Sequence, residues 1–256
     1  MKPPIQLLAV ALVVLATGCK DAREQAKEKE VWNEISNEHE TFRKELKEGM
    51  TDEGLVIDQE AIERQHLALQ SAGEKLGGVK GQALEIMAGF QRESAAWSGK
   101  IEEGSQKMVT AIDFSNLGRD NDYEERREVL RDYMELNQQV TDYFETAPDE
   151  VIRKLDAINF HGKDRRDMEA GFTNQIAKMK PLIRGIRECD RVCCEISLRM
   201  IDILEKEKGM WTWNEAEGMI EFENDDAIAA FNKEVELLTA NGQKQLDLQQ
   251  ELVNTL

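Results

Sequence analysis

Two histidines and one glutamate are the residues best suited by type and spacing to bind a metal ion. His39 and His66 lie on the apolar faces of two consecutive predicted helices, and Glu63 precedes His66 by three residues. That spacing places a carboxylate and an imidazole on one face of a helix, and both groups are metal ligands. If the two helices pair around a loop near residues 53–54, His39 faces position 68 and lies within about one helical turn of His66. His39, Glu63 and His66 therefore form a candidate metal site.

The pattern around these histidines is incomplete. Di-iron sites in helical bundles use two Glu-x-x-His motifs and two further inward-facing glutamates. Here Ser36, and not a glutamate, stands three residues before His39. We therefore expect two partly buried, hydrogen-bonded histidines with no metal or other cofactor, and we keep a metal- or haem-binding bundle as the alternative.

Three cysteines, Cys189, Cys193 and Cys194, lie close together in one predicted helix. Cys189 and Cys193 follow the apolar spacing of that helix, where cysteine behaves as a small hydrophobic residue. Burial in the core is the preferred interpretation. The alternative is a redox, metal-binding or cross-linking role.

Trp211 and Trp213 alternate with polar residues in a short segment that resumes at Ile220 and Phe222 after a glycine-containing turn. This alternation predicts a small β-hairpin. The two tryptophans are a possible interface for a partner, because tryptophan often anchors interfaces. A hairpin that covers the end of a helical bundle is the favoured alternative.

No catalytic motif is present in the sequence. It has no Gly-x-Ser-x-Gly nucleophile elbow, phosphate-binding loop, dinucleotide fingerprint or Cys-x-x-Cys-His haem attachment motif. Only three histidines are available for proton transfer. We do not predict an enzyme.

The composition predicts a folded and mainly helical chain. It has 256 residues, 41% of them hydrophobic, four prolines and a net charge of −18. The apolar content is too high for an intrinsically disordered chain. The negative charge argues against binding to nucleic acid or to anionic lipid, both of which require basic surfaces.

The N-terminus has the pattern of a secretory signal peptide. Lys2 precedes an apolar run over residues 5–16, which is too short to span a bilayer as a helix. The run ends in Leu15-Ala16-Thr17-Gly18-Cys19, which resembles the lipobox of bacterial lipoproteins. An ordinary secretion signal with a chance cysteine is the alternative.

The lipobox resemblance implies cleavage before Cys19 and attachment of acyl chains such as palmitate to that residue. Residues 1–18 are then the signal peptide, 19–30 the lipidated cysteine with a charged tether, and 31–256 a single helical domain. Lys20 follows the cysteine, a pattern that in enterobacterial lipoproteins implies sorting to the outer membrane. The expected location is the cell envelope, at the periplasmic face of the outer membrane.

Apolar residues three and four apart predict an all-α, elongated antiparallel bundle with long heptad-patterned helices and one β-hairpin before the last helix. The first predicted helix carries Trp32, Ile35, His39, Phe42 and Leu46. The apolar phase of the second continues through Gly77 and Gly78, which favours one long, bent helix. A third helix is predicted over 129–143 and a short fourth one from Pro148 to Phe160. A fifth is predicted over 168–203, and Pro181 should kink it. The last helix is predicted to start at Asn224 or Asp225, with six residues facing inward: Ile228, Phe231, Val235, Leu238, Gln245 and Leu252.

The end of the chain also resembles a family of helical bacterial lipoproteins of unknown function. The matching residues are Gly218-Met219-Ile220-Glu221-Phe222 and Phe231-Asn232-Lys233. The match covers about the last fifth of the chain and the signal sequence. This resemblance implies a lipoprotein and no particular activity.

The sequence thus predicts a lipid-anchored envelope protein that acts as a helical scaffold or binding protein through protein–protein contacts. Its expected partners are the membrane, through the N-terminal lipid, and another envelope protein, but not nucleic acid. The alternatives are the metal- or haem-binding bundle and a periplasmic ligand-binding bundle that resembles a sensor.

Overall fold

The computed structural model describes residues 22–51, 54–55, 59–117 and 122–256. The described residues form six helices and two short antiparallel strand pairs, β1 with β2 and β3 with β4. In chain order the elements are α1 Ala22–Glu48, β1 Met50–Thr51, β2 Gly54–Leu55, α2 Gln59–Leu76, α3 Gly78–Ala111, α4 Tyr123–Ala157, α5 Lys163–Lys206, β3 Trp211–Asn214, β4 Met219–Phe222 and α6 Asp225–Thr255.

Each helix packs antiparallel to the next one in the chain. Hydrogen bonds and ion pairs between neighbours show this, because residue numbers rise in one helix as they fall in the other. The contacts are Glu34–Lys75 and Glu45–Arg64 for α1 and α2, Gln65–Gln91 and His66–Ala88 for α2 and α3, Ser94–Tyr143 and Ala111–Arg126 for α3 and α4, Asn137–Arg187 and Arg127–Asp202 for α4 and α5, and Cys189–Asn241 and Arg199–Glu234 for α5 and α6.

The bundle is elongated because three long helices, α3, α4 and α5, run along it. The 44-residue α5 alone is about 66 Å long at 1.5 Å per residue. We call the end where Lys80 contacts Glu28 and Asp164 the base, since α1, α3 and α5 all begin there. The opposite end, with the β3–β4 hairpin, is the tip.

The core is a continuous apolar seam along the helices. Its largest fully buried side chains come from α1, β2, α2, the three long helices and Leu117 after α3, and include Phe42, Leu55, Leu130 and Phe172. An amphipathic helix gains most of its stability from burying such a face. The predicted all-α antiparallel bundle with a small hairpin before the last helix is confirmed.

The prediction of one long second helix is wrong. The chain reverses at Gly77, whose φ of 61° is in the left-handed region that favours glycine, and α2 and α3 form an antiparallel hairpin. Gly73 and Gly81 face each other across it so closely that a Cβ on Gly81 would lie 2.4 Å from the carbonyl oxygen of Gly73. The spacing of apolar residues continues from α2 into α3 because both helices pack an apolar face against the same core. That spacing therefore does not show that the chain reverses.

The predicted boundary at Pro148 is also wrong. Helix α4 continues through Pro148 to Ala157, so the expected third and fourth helices are one element. Proline removes one backbone hydrogen bond of a helix, and packing of the buried face around it offsets that loss here. Ala147, Pro148 and Val151 are all buried. The predicted long fifth helix is present, with Pro181 inside it.

The last helix begins where the sequence predicts. The Asn224 side chain accepts a hydrogen bond from the backbone N–H of Asp226 at 3.0 Å and caps α6. Phe231, Gln245 and Leu252 face inward as expected, but Ile228 and Val235 do not.

Among the residues that the structure describes, no helix is both long and apolar enough to cross a membrane. The predicted signal peptide and Cys19 lie outside the described residues, which begin at Ala22.

Candidate functional site

His39 is held in its neutral form by a hydrogen-bonded chain across three helices. The Gln65 side-chain amide donates to His39 Nδ1 at 3.1 Å, and Gln91 Nε2 donates to Gln65 Oε1 at 3.3 Å. An amide nitrogen can only donate, so His39 Nδ1 must accept. Burial lowers the pKa of His39, and the nearby Arg43 guanidinium lowers it further. Both the geometry and the electrostatics favour the uncharged imidazole.

His66 forms a different contact. Its Nδ1 lies 3.1 Å from the carbonyl oxygen of Ala88, so this nitrogen carries a proton and donates. Glu63 is exposed to solvent. In the described part of the chain, no three His, Cys, Asp or Glu side chains come together in a group that could hold a metal ion. The structure therefore gives His39 and His66 hydrogen-bonding roles between helices and does not assemble the candidate metal site.

The three thiols of α5 are buried, as the preferred interpretation predicted. Cys189 and Cys194 have no exposed surface, and none of the three is in a disulfide. Burial raises the pKa of the Cys193 thiol to about 12, and it raises the pKa of Cys189 and Cys194 in the same direction. Because the thiolate is the reactive form, these thiols are poor nucleophiles and poor metal ligands.

A buried ion pair lies beside the thiols. Arg187 Nη2 is 2.9 Å from Asp190 Oδ2, and the two side chains are only 4% and 1% exposed. Gln245 of α6 donates to Asp190 Oδ1 at 2.7 Å, and Asn137 of α4 donates to the carbonyl oxygen of Arg187 at 2.6 Å. This polar layer joins α4, α5 and α6 at one height of the bundle. A buried charge requires such partners.

The two tryptophans of the hairpin have different environments. Trp211 is buried, and its indole N–H donates to the carbonyl oxygen of Leu204 at 2.9 Å, close to the end of α5. The ring of its cross-strand neighbour Phe222 packs at a tilt against the ring of Phe231 of α6, with centroids 5.4 Å apart. Trp213, farther along the same strand, is partly exposed. Trp211 thus covers the tip, and only Trp213 is accessible to a partner.

Two shallow cavities lie away from these residues. One, of about 330 Å³, is at the base beside the Gly77–Gly78 turn. Two of its lysines are already paired, Lys75 with Glu34 and Lys80 with Glu28 and Asp164. The other, of about 250 Å³, lies where α3 crosses α4. Neither cavity is lined by a histidine or a cysteine.

The sequence patterns missed the polar residues that join the helices, chiefly Gln65, Gln91 and Asp190. Their signal is a polar residue on an apolar line of a helix, as at Gln245. That signal gives the face of the residue but not its partner.

No family model, no curated protein and no solved structure matches this chain.

Proposed function

We propose that this protein is a lipid-anchored protein of the bacterial cell envelope, whose helical bundle acts as a scaffold or binding protein through protein–protein contacts. The observation that carries the proposal is the N-terminal sequence, in which an apolar segment ends in Leu-Ala-Thr-Gly-Cys at Cys19. The periplasmic face of the outer membrane is the proposed location, because Lys20 follows the cysteine.

The geometry of the base supports an upright orientation. Helix α1 begins at Ala22, three residues after Cys19. An acyl-bearing Cys19 would therefore hold the base close to the lipid surface. The tip would stand about 66 Å away, the length of α5, if the helices run along the membrane normal.

Contacts with other proteins are the activity that the bundle supports best. The candidate metal residues are not assembled, the three thiols of α5 are buried, and the accessible features are long helix faces and a partly exposed tip hairpin. Rigid helices suit a protein that holds a binding surface at a fixed distance from a membrane.

The anchor is tested by metabolic labelling with an alkyne analogue of palmitate in the native host. The wild-type chain should incorporate label and fractionate with membranes, whereas Cys19→Ser should do neither. Cys193→Ala is the matched control, because it removes a cysteine that lies in the core, and it should keep the label. Equal labelling of wild type and Cys19→Ser would refute the anchor.

The scaffold role is tested by cross-linking in native membranes, followed by mass spectrometry of the recovered protein. We expect one envelope protein to be captured reproducibly, with cross-links that map to the bundle. Capture of nothing above the level seen with an unrelated lipoprotein would contradict the role.

A further inference from the structure

Helix α6 carries two apolar lines that differ in how far they are buried. One line includes Phe231, Gln249 and Leu252, all of which are buried. The second line contains Ile228, Val235, Leu246 and Val253. Residues 18 apart are separated by five turns and share a face, so Ile228 lies above Leu246 and Val235 above Val253. We call this line the α6 stripe.

The lower half of the α6 stripe is covered by the chain itself. Leu246 Cδ2 lies against Gly54. Next to the stripe, Gln249 Oε1 of the buried line accepts a hydrogen bond from the backbone N–H of Leu55 at 3.3 Å, so β2 lies across this side of α6. Val253 is only 2% exposed, and α6 contacts both α1 and β2. Strand β2 thus covers this half at Leu246, and Val253 is buried within the chain's own fold.

The upper half has no such cover among the described residues. Ile228 is 37% exposed and Val235 is 39% exposed, although the heptad spacing of the sequence predicts both to be buried. The α6 stripe is buried by the chain itself toward the C-terminus of the helix and is exposed toward the tip. This difference suggests that a partner protein buries the exposed half. Such a partner is itself a helix with an apolar face.

The negative charge of the tip indicates the charge expected on the partner. Residues 205–226 contain eight carboxylates and two lysines. Six of these carboxylates are exposed around the hairpin and the start of α6, namely Glu215, Glu217, Glu221, Glu223, Asp225 and Asp226. A second copy would bring like charge to this surface and another net charge of −18. A partner rich in Lys and Arg would be attracted to it.

We infer that the exposed half of the α6 stripe, Ile228 and Val235, binds the apolar face of a basic amphipathic helix of another protein. This inference rests on the proposed function, because it names the class of partner that the anchored bundle holds. The two anchor positions lie about 10 Å apart along α6, so two successive heptad positions of the partner would meet them.

The experiment uses the full chain in nanodiscs of zwitterionic lipid. The probe is a synthetic 14-residue peptide of Leu and Lys in amphipathic helical order, with a central photo-reactive benzophenone. Its control is a peptide of the same composition in shuffled order. Cross-linked sites are mapped by mass spectrometry, and the yield is compared among variants.

The variants separate the α6 stripe from general attraction to an acidic helix. The double variant Ile228→Ser, Val235→Ser removes two exposed side chains and leaves the buried line intact. Leu237→Ser is the matched control, since Leu237 is 43% exposed on the same helix but about 180° around it from Ile228. We expect cross-links within residues 224–239, at least a fivefold loss of yield in the double variant, and no loss in the control.

Equal yields from the double variant and the wild type, or equal yields from the shuffled peptide, would overturn the inference. Sedimentation that shows a dimer of the wild type and a monomer of the double variant would also overturn it, because the occupant would then be a second copy. Cys19 labelling is a separate readout. If Cys19 is labelled but the peptide does not bind, the proposed anchor stands and the binding surface is refuted. If the peptide binds but Cys19 is not labelled, the anchor is refuted and the binding surface stands.

Discussion

At the scale of single residues, the polar side chains in the core form hydrogen bonds that join the helices. His39 is a clear case, because its neutral ring accepts a hydrogen bond that the protonated ring could not accept. A metal ion would compete with Gln65 for the same nitrogen. The residue types that suggested metal chemistry are therefore used to join α1, α2 and α3.

His39 gives a prediction of pH dependence. In the unfolded chain its pKa is the ordinary value of 6.5, and in the folded chain burial, with a further contribution from Arg43, lowers it, while Glu40 opposes the shift. As pH falls through 6.5 toward the lower folded pKa, the unfolded state takes up a proton that the folded state does not. Stability contributed by neutral His39 is therefore present above pH 6.5 and lost below it.

The measurement is urea unfolding at pH 7.5 and 5.5 for the wild type and His39→Gln. Glutamine removes the titration and keeps an acceptor for the Gln65 amide. We expect the unfolding free energy of the wild type to fall more over this range than that of the variant. Parallel pH dependence of the two chains would show that His39 protonation is not coupled to folding.

The buried pair of Arg187 and Asp190 gives a second prediction. Asp190→Ala leaves the Arg187 guanidinium buried without its carboxylate, which should lower the free energy of unfolding by about 3–5 kcal/mol. Asp132→Ala, at an exposed position of α4, is the control and should change it by less than about 0.5 kcal/mol. Chemical denaturation measures both, and a loss at Asp190 no larger than the control would contradict the buried pair.

At the scale of elements, the α2–α3 hairpin depends on small residues where the two helices approach. Gly73 and Gly81 allow the backbones to meet, and Gly77 makes the turn with a positive φ. Gly104 has the same role at the α3–α4 crossing, where an added Cβ would lie 2.9 Å from the ring of Tyr133. Glycine lowers the intrinsic helix propensity at these positions, but it allows the two helices to pack closely.

A pair of glycine substitutions in α3 tests this use of small residues. In Gly81→Ala the new methyl would meet the Gly73 carbonyl oxygen, so the helices must separate, at a cost of about 1–3 kcal/mol in unfolding free energy. Gly89→Ala has open space around the new methyl and should stabilise the helix by about 0.5–1 kcal/mol. Thermal unfolding should thus move in opposite directions for the two variants, and destabilisation of both to the same degree would contradict the close approach.

At the scale of the whole molecule, the antiparallel path separates two ends with different roles. The base gathers the starts of α1, α3 and α5 around Lys80, and the tip gathers the hairpin and most of the exposed carboxylates of residues 205–226. The proposed anchor at Cys19 assigns the base to the membrane. The tip and the α6 stripe are then the surfaces available to a partner.

This orientation predicts a difference in energy transfer to the bilayer. A donor dye on Val79→Cys at the base should be strongly quenched by an acceptor lipid, and a donor on Glu217→Cys at the tip should be weakly quenched. Both positions are exposed, whereas Cys189, Cys193 and Cys194 are buried and should stay unlabelled in the folded chain. Equal quenching at the two positions would mean that the bundle lies along the membrane surface.

Local information in the sequence determined the helical class of the chain, the start of the last helix and the β3–β4 hairpin. Apolar residues at helical spacing show which face of each helix is apolar, Asn224 marks the start of α6, and alternation around Gly218 predicts the β3–β4 hairpin. These features depend on neighbours within a few residues, and for that reason the bundle and its hairpin could be predicted.

Only the tertiary structure decided how these faces meet. The reversal at Gly77, the continuation of α4 through Pro148 and the exposure of Ile228 and Val235 all depend on contacts between residues far apart in sequence. The same holds for His39, whose protonation state is set by Gln65 and by burial between helices. A helical period records that a face is apolar, but which element covers that face depends on the path of the whole chain.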